Sequence, residues 1–141
     1  MSVNPELIES LGLFSGLSSA DIARIAGLMN TVRVKEGEEL FRRNTPAHTF
    51  FVILSGHYLI AFKEGRAITL HDRGDVMGWS TVVAPLRYTA AATALCDGEV
   101  LILSSEDFLG LIRANSALGD CLMERITQMV ADRMALAGQS K

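Results

Sequence analysis

The sequence contains few cysteines and no excess of basic residues. Its two cysteines, Cys96 and Cys121, lack the paired spacing of a zinc or redox motif, so we expect buried, reduced thiols. The 13 basic side chains against 16 acidic ones leave a formal charge of -3. Because binding to a phosphate backbone needs clustered positive charge, direct binding to nucleic acid is not expected.

Long apolar runs, repeats and low-complexity segments are also absent. The longest stretch without a charged side chain, residues 44–62, is interrupted by Pro46, His48 and a Ser-Gly-His turn, which argues against a membrane span. The first residues contain neither a basic cluster nor an apolar segment, so no secretory signal is predicted and we expect a cytoplasmic protein. The 141 residues, 49% of them apolar, predict one globular domain and exclude a disordered chain or a two-domain enzyme.

Helical signals occupy the first part of the chain. Ser18 and Asp21 form a capping pair ahead of an apolar repeat, which predicts a helix over residues 19–29. A shorter helix and a packed turn at residues 14–17 precede it. We therefore expect residues 1–29 to form an N-terminal helical segment.

Helical signals return at the other end, over residues 104–137. Ser104 and Asp107 form a second capping pair for a helix that ends near Asn115, and Ser116 is predicted to cap the last helix. The apolar face of that last helix is wider than a single docking stripe. The helix therefore either pairs two copies of the chain into a homodimer or packs wholly on its own domain. Arg133 interrupts the heptad repeat that a coiled-coil pairing would need, which favours packing on its own domain.

Strand signals fill residues 30–103 between these helices. Short β-rich segments alternate with Gly- and Asp-containing turns at intervals of about ten residues, which is typical of a sandwich or jelly roll. We predict a mainly β fold, a jelly roll (double-stranded β-helix) with N-terminal helices and a C-terminal helix. The predicted strand segments are residues 32–34, 40–41, 50–54, 58–62, 67–70 and 100–103.

The segment of residues 74–90 carries the candidate binding site. Gly78 permits a close backbone approach, and Trp79, Ser80 and Thr81 can begin a short helix whose free N–H groups and hydroxyls attract an anion. Arg87 is the sole charged residue between Asp75 and Asp97 in the sequence. A guanidinium group can bind a phosphate through two parallel hydrogen bonds. Alternatively, Arg87 lies along a loop with its charge in solvent.

Five segments occur in a fixed order along the chain, at residues 13–17, 37–42, 51–56, 74–78 and 100–108. With these segments the chain resembles the cyclic-nucleotide-binding domain family, found in bacterial catabolite-activator-type regulators and in the regulatory subunit of cyclic-AMP-dependent protein kinase. The resemblance implies a β jelly roll flanked by helices, with a short helical cassette that holds the phosphate of cyclic AMP or cyclic GMP. It also implies a small-molecule sensor rather than an enzyme.

The cassette departs from the family pattern. Trp79 stands where the family has a Glu that binds the ribose 2′-hydroxyl, and counted without a gap the family's phosphate-binding Arg falls on Tyr88 and its hydroxyl residue on Ala91. Arg87 would take the family's phosphate-binding position only if the loop of the cassette were one residue shorter than in the family. Tyr88 and Thr89 are further candidate ligand-binding residues. We expect a pocket with altered chemistry and weakened affinity for cyclic AMP.

Two other classes of function remain open from the sequence. A ligand-free structural or dimerisation domain that keeps the fold is favoured by Trp79 and Ala91. A cupin-like metal enzyme is disfavoured, because such sites need two His one residue apart and His48, His57 and His71 are nine and fourteen residues apart. The family's winged-helix output domain would need about seventy further residues after the last helix, so any transcriptional role is expected to be indirect or to belong to a longer parent chain.

Overall fold

Two antiparallel sheets form the centre of the computed structural model, which describes residues 3–63, 65–78 and 88–139, the last seven of them (133–139) by backbone alone. One sheet has the strand order β1-β8-β3-β6 and the other β2-β7-β4-β5. Every pairing between strands is antiparallel. The strands are β1 (Asn30–Val34), β2 (Glu39–Phe41), β3 (Thr49–Ser55), β4 (Tyr58–Phe62), β5 (Ala67–Leu70), β6 (Val76–Met77), β7 (Ala90–Ala94) and β8 (Gly98–Ser104).

Helices lie before and after the sheets. The N-terminal pair is α1 (Pro5–Glu9) and α2 (Ser19–Leu28), and the C-terminal pair is α3 (Ser105–Ala114) and α4 (Ser116–Gln139). The mainly β jelly roll with flanking helices, predicted from the strand spacing, is therefore confirmed. In the described ranges of the chain, no helix is both long enough and apolar enough to cross a membrane.

Strand β3 separates two hydrophobic cores by the alternation of its side chains. Phe50 and Val52 face the helices on the outer side of the first sheet, while Phe51 and Ile53 face the space between the sheets. Burial of both faces explains why β3 is a continuous apolar run rather than an alternating one. Met77 and Tyr88, which lie before and after residues 79–87 in the chain, are both buried in the inner core.

The predicted caps form at two of the three helices that were expected to have them. The Ser18 hydroxyl accepts the N–H of Asp21 at 3.2 Å, and the Ser104 hydroxyl accepts the N–H of Asp107 at 3.1 Å. These side chains satisfy N–H groups that a helix cannot pair internally. They fix where α2 and α3 begin.

The predicted cap of the last helix was wrong by one residue. The side-chain oxygen of Asn115 accepts the N–H of Leu118 at 3.1 Å, and Ser116 is the first residue of α4. Asn115 is extended after α3, so its short amide is already placed to meet the first turn of α4. The chain thus passes from α3 to α4 through a single residue that ends one helix and caps the next.

Helix α4 docks on the N-terminal turn as well as on the sheet. Leu122 and Ile126 are buried in the outer core. The Arg125 guanidinium donates to the carbonyls of Leu13 at 2.9 Å and Ser15 at 2.8 Å. This clamp ties α4 to the turn that precedes α2.

The burial predicted for the cysteines was too high. Cys96 and Cys121 are both free thiols, as expected, but each is half-buried. Cys96 lies in the turn between β7 and β8, and Cys121 lies on α4 beside the buried Leu122. Neither position is enclosed on all sides, because one belongs to a turn and the other to the flank of a surface helix.

Candidate ligand-binding cassette

The cassette lies between β6 and β7, two strands of different sheets. The described chain reaches Gly78 directly after β6 and resumes at Tyr88, two residues before β7. Among the predicted site residues, Gly78, Tyr88 and Thr89 are described. The predictions for Trp79, Ser80, Thr81 and Arg87 lie outside the described residues.

Gly78 occupies a position that no larger residue fits. Its φ is +73°, which favours glycine, and an added Cβ would lie 2.8 Å from the carbonyl oxygen of Thr49 and 3.2 Å from Cε1 of Tyr88. A close backbone approach was predicted here. The described partner in that approach is the start of β3, and a ligand contact at Gly78 stays a prediction.

Tyr88 is fixed by its side chain and by its backbone. Its hydroxyl donates to the carbonyl of Thr49 at 2.9 Å and accepts the N–H of the same residue at 3.1 Å. Its own N–H donates to the carbonyl of Thr45 at 3.0 Å, and its carbonyl accepts the N–H of Asn44 at 2.8 Å. The phenol thus acts as a strand partner for Thr49, and the end of the cassette is anchored to the segment before β3.

The Tyr88 ring belongs to an aromatic stack inside the roll. It lies 4.2 Å from the Phe41 ring, centroid to centroid and nearly parallel, and Phe41 in turn lies 5.6 Å from Phe51. Only 6% of Tyr88 is exposed. Offset stacking of this kind adds to the stabilisation from burial alone.

Burial raises the pKa of Tyr88, against the opposing effect of its hydrogen bonds with backbone groups at Thr49 and His48. The phenol is therefore neutral at physiological pH. A neutral hydroxyl with both bonds made to backbone gives no positive charge to an anion. When the sequence is aligned to the family pattern without a gap, Tyr88 takes the place of the phosphate-binding Arg. Tyr88 lacks the positive charge of that Arg.

The space between the sheets is apolar where it is described. Its polar atoms include the Tyr88 hydroxyl and that of Tyr58, which donates to the carbonyl of Ser55 at 2.8 Å. The buried side chains of this core are Val34, Phe41, Ala47, Phe51, Ile53, Tyr58, Ile60, Leu70, Met77, Tyr88, Ala90, Ala92, Ala94 and Val100. Charge for an anion would have to come from residues 79–87, whose sequence contains one ionisable residue, Arg87.

The alternation along β7 separates the neighbours of Tyr88. Ala90 and Ala92 are buried in the inner core, while Ala91 is half-buried on the opposite side of the strand. Thr89 is exposed. The structure thus brings Gly78 and Tyr88 together and leaves Thr89 at the surface.

Thr49, Phe41 and Phe51 were not among the predicted site residues. The contribution of Thr49 is made by its backbone, which carries no sequence signal. Phe41 and Phe51 were placed in strand segments, and the alternation of β3 could have assigned Phe51 to the inner face. Their positions beside Gly78 and Tyr88 depend on how the two sheets pack.

The three histidines do not meet in the interior. His48, His57 and His71 are all exposed. Over residues 3–63, 65–78 and 88–139, no group of three or more His, Cys, Asp or Glu side chains is arranged to hold a metal ion.

The fold is a jelly roll of two four-stranded antiparallel sheets with helices before and after them. Residues 31–115 match the family described as cyclic nucleotide-binding domain. The chain belongs to that family.

Curated relatives match most of the length of this chain. A protein of Rhodopseudomonas palustris named as a potassium channel protein is 29% identical over 134 residues, which are 93% of this chain and 31% of the relative. The chain spans about a third or less of the curated relatives that it matches.

Two solved structures share the fold. A cyclic nucleotide-binding protein from Geobacter metallireducens has a TM-score of 0.85 and 22% identity, over 94% of this chain and 98% of that one. The sensor domain of the transcriptional regulator DNR from Pseudomonas aeruginosa has a TM-score of 0.71 and 22% identity, over 89% and 91%.

Proposed function

We propose that this chain is a ligand-sensing regulatory module whose cassette binds a small anion, with weakened affinity for cyclic AMP and cyclic GMP. Family membership supports the sensing role. The altered cassette supports the change in ligand preference, since Trp79 stands where the family places its ribose-binding carboxylate. An indole donates one N–H and accepts nothing, so the ribose hydroxyl loses its acceptor.

The observation that carries this proposal is the pair of hydrogen bonds between the Tyr88 hydroxyl and Thr49. These two bonds hold the Tyr88 side chain against the backbone of β3. The phosphate-binding role in this cassette then falls to Arg87, one residue earlier, together with Ser80 and Thr81. Ligand occupancy would be transmitted to the terminal helices, and α4 is held to the N-terminal turn by Arg125.

Calorimetry with cyclic AMP, cyclic GMP and inorganic phosphate tests the proposal on the wild-type chain and on Arg87→Ala. Loss of the ribose carboxylate costs about 1–3 kcal/mol, so binding of either cyclic nucleotide is expected to be weaker than micromolar. Whatever binding is measured should disappear in Arg87→Ala. Micromolar affinity for a cyclic nucleotide that is lost in Arg87→Ala would refute the weakened-site account.

A ligand-free structural or dimerisation domain is the second candidate. It is favoured by the closeness of Gly78, Tyr88 and Thr49, which explains two candidate site residues by packing alone. In this version two copies pair through the apolar flank of α4, where Met123 is half-buried. Light scattering over a range of concentrations tests the homodimer, and a constant monomeric mass would remove it.

The proposal also covers the location of the protein in the cell and its partners. As a sensor module the protein would act in the cytoplasm through a small-molecule ligand, without binding nucleic acid directly and without a membrane partner. It would not be an enzyme. Turnover of a cyclic nucleotide by the purified chain would contradict this part of the proposal.

A further inference from the structure

Two histidines form a cross-strand pair on the outer face of the second sheet. Tyr58 of β4 pairs with Leu70 of β5, so the next residues out, His57 and His71, lie opposite each other. Their ring centroids are 5.4 Å apart, and the ring planes are tilted by 36°. Both side chains are exposed.

The backbone beneath the pair is fixed. The carbonyl of His57 accepts the N–H of Leu95 at 2.8 Å, which ties the residue to the chain after β7. Tyr58 and Leu70, which follow and precede the two histidines, are buried in the inner core. The backbone that carries the two imidazoles is therefore fixed, so little conformational entropy is lost when both bind one ligand.

The distance between the rings fits joint coordination of a metal ion. A ligating nitrogen lies about 2.0–2.1 Å from zinc, and the ring centroid lies about 1 Å behind that nitrogen. Two imidazoles on one tetrahedral ion therefore have centroids about 5 Å apart. The separation of 5.4 Å between His57 and His71 is close to this value.

A carboxylate lies beside the second histidine. Nδ1 of His71 is 3.3 Å from Oδ1 of Asp72, and both side chains are open to solvent. A carboxylate at one ring nitrogen orients the imidazole and increases the basicity of the other nitrogen, an arrangement common behind metal-binding histidines. Nε2 of His71 is then left for a metal ion.

We propose that His57 and His71 form a two-point site for a divalent transition metal ion, zinc or copper(II), with Asp72 orienting His71. The described residues supply no group of three ligands here, so water completes the coordination. The ion would link β4 to β5 on the outside of the sheet, apart from the cassette. This inference is independent of the proposed ligand-sensing function.

Calorimetry with zinc chloride tests the site on the full chain, free of any histidine tag and in buffer without chelators. One ion per chain is expected, with tighter binding of copper(II) than of zinc. His57→Ala and His71→Ala should each abolish the binding, and Asp72→Asn should weaken it by about tenfold. His48→Ala is the matched control, because His48 is also exposed but precedes β3, whereas His57 follows it.

A second measurement separates loss of the site from loss of the fold. Zinc should raise the thermal midpoint of the wild-type chain and of His48→Ala, and leave that of the two site variants unchanged. Absence of zinc binding to the wild-type chain would overturn the proposal. So would binding that survives both site variants, or binding that is lost in Cys96→Ser or His48→Ala.

Discussion

The Tyr88 hydroxyl is hydrogen-bonded to both backbone polar groups of Thr49, donating to the C=O at 2.9 Å and accepting from the N–H at 3.1 Å. Gly78 approaches the same carbonyl from the other end of the cassette. The two ends of the cassette therefore meet on one residue of β3.

Tyr88→Phe should lower the free energy of unfolding by about 1–3 kcal/mol, because it keeps the aromatic ring but removes the hydroxyl that bonds the half-buried N–H and C=O of Thr49. Chemical denaturation measures the effect. Thr89→Ala, at the exposed neighbouring position, is the control and should change stability by no more than about 0.5 kcal/mol. Equal stabilities for Tyr88→Phe and the wild-type chain would show that the two bonds contribute nothing.

Gly78→Ala should be more destabilising than Gly37→Ala. Both glycines have a positive φ, so both variants pay a conformational cost of about 1–2 kcal/mol. At Gly37 an added Cβ meets open space, whereas at Gly78 it would lie 2.8 Å from the Thr49 oxygen. Equilibrium unfolding of the two variants should differ by at least about 1 kcal/mol, and an equal loss would mean that the contact relaxes freely.

Arg125→Ala should release α4 from the N-terminal turn. Its guanidinium donates to the carbonyls of Leu13 and Ser15, and loss of such charged hydrogen bonds costs about 1.5–3 kcal/mol. Arg125→Lys should recover only part of this, since an ammonium lacks the planar fork. Hydrogen exchange at residues 13–16 should increase in Arg125→Ala and stay unchanged in Arg24→Ala, which removes an exposed Arg from α2.

Stability should fall as the pH rises above 10. Burial, with smaller effects from Cys96, Glu38 and Glu99, raises the pKa of Tyr58 to about 12. The unfolded chain then loses the Tyr58 proton near pH 10 while the folded chain keeps it, so the stabilising contribution is complete below pH 10 and is lost towards pH 12. The slope from this group is at most about 1.4 kcal/mol per pH unit.

Spectroscopic titration of phenolate absorbance measures the same property directly, because the chain has two tyrosines. Burial also raises the pKa of Tyr88, so both phenols should ionise at higher pH in the folded protein than in the unfolded chain. In Tyr58→Phe the decline of stability with pH should be shallower. Ionisation of both tyrosines near pH 10 without unfolding would contradict the burial of these hydroxyls.

The sequence predicted the β class, the jelly roll and the caps of α2 and α3, because each depends on local signals. β7 escaped prediction, since its residues Ala90–Ala94 contain four alanines and alanine favours strands weakly. Its strand state comes from pairing with β2 and β4 on either side. Small side chains fit there because their inner neighbours include large aromatic rings.

The sequence predicts where the candidate cassette lies along the chain, but not the contacts at its two ends. The glycine and the position of Tyr88 could be located from spacing. The bonds from Tyr88 to Thr49 could not, since a backbone partner nearly forty residues away has no sequence signature. The His57 and His71 pair was missed for a related reason, because fourteen residues of separation hide a register that only the β4–β5 pairing reveals.

Calorimetric titration of cyclic AMP into the wild-type chain and into Trp79→Glu tests the altered cassette most directly. The account predicts binding weaker than micromolar in the wild-type chain and an increase of about tenfold or more in Trp79→Glu, which restores a carboxylate for the ribose. Micromolar or tighter binding to the wild-type chain, with no gain in Trp79→Glu, would contradict it.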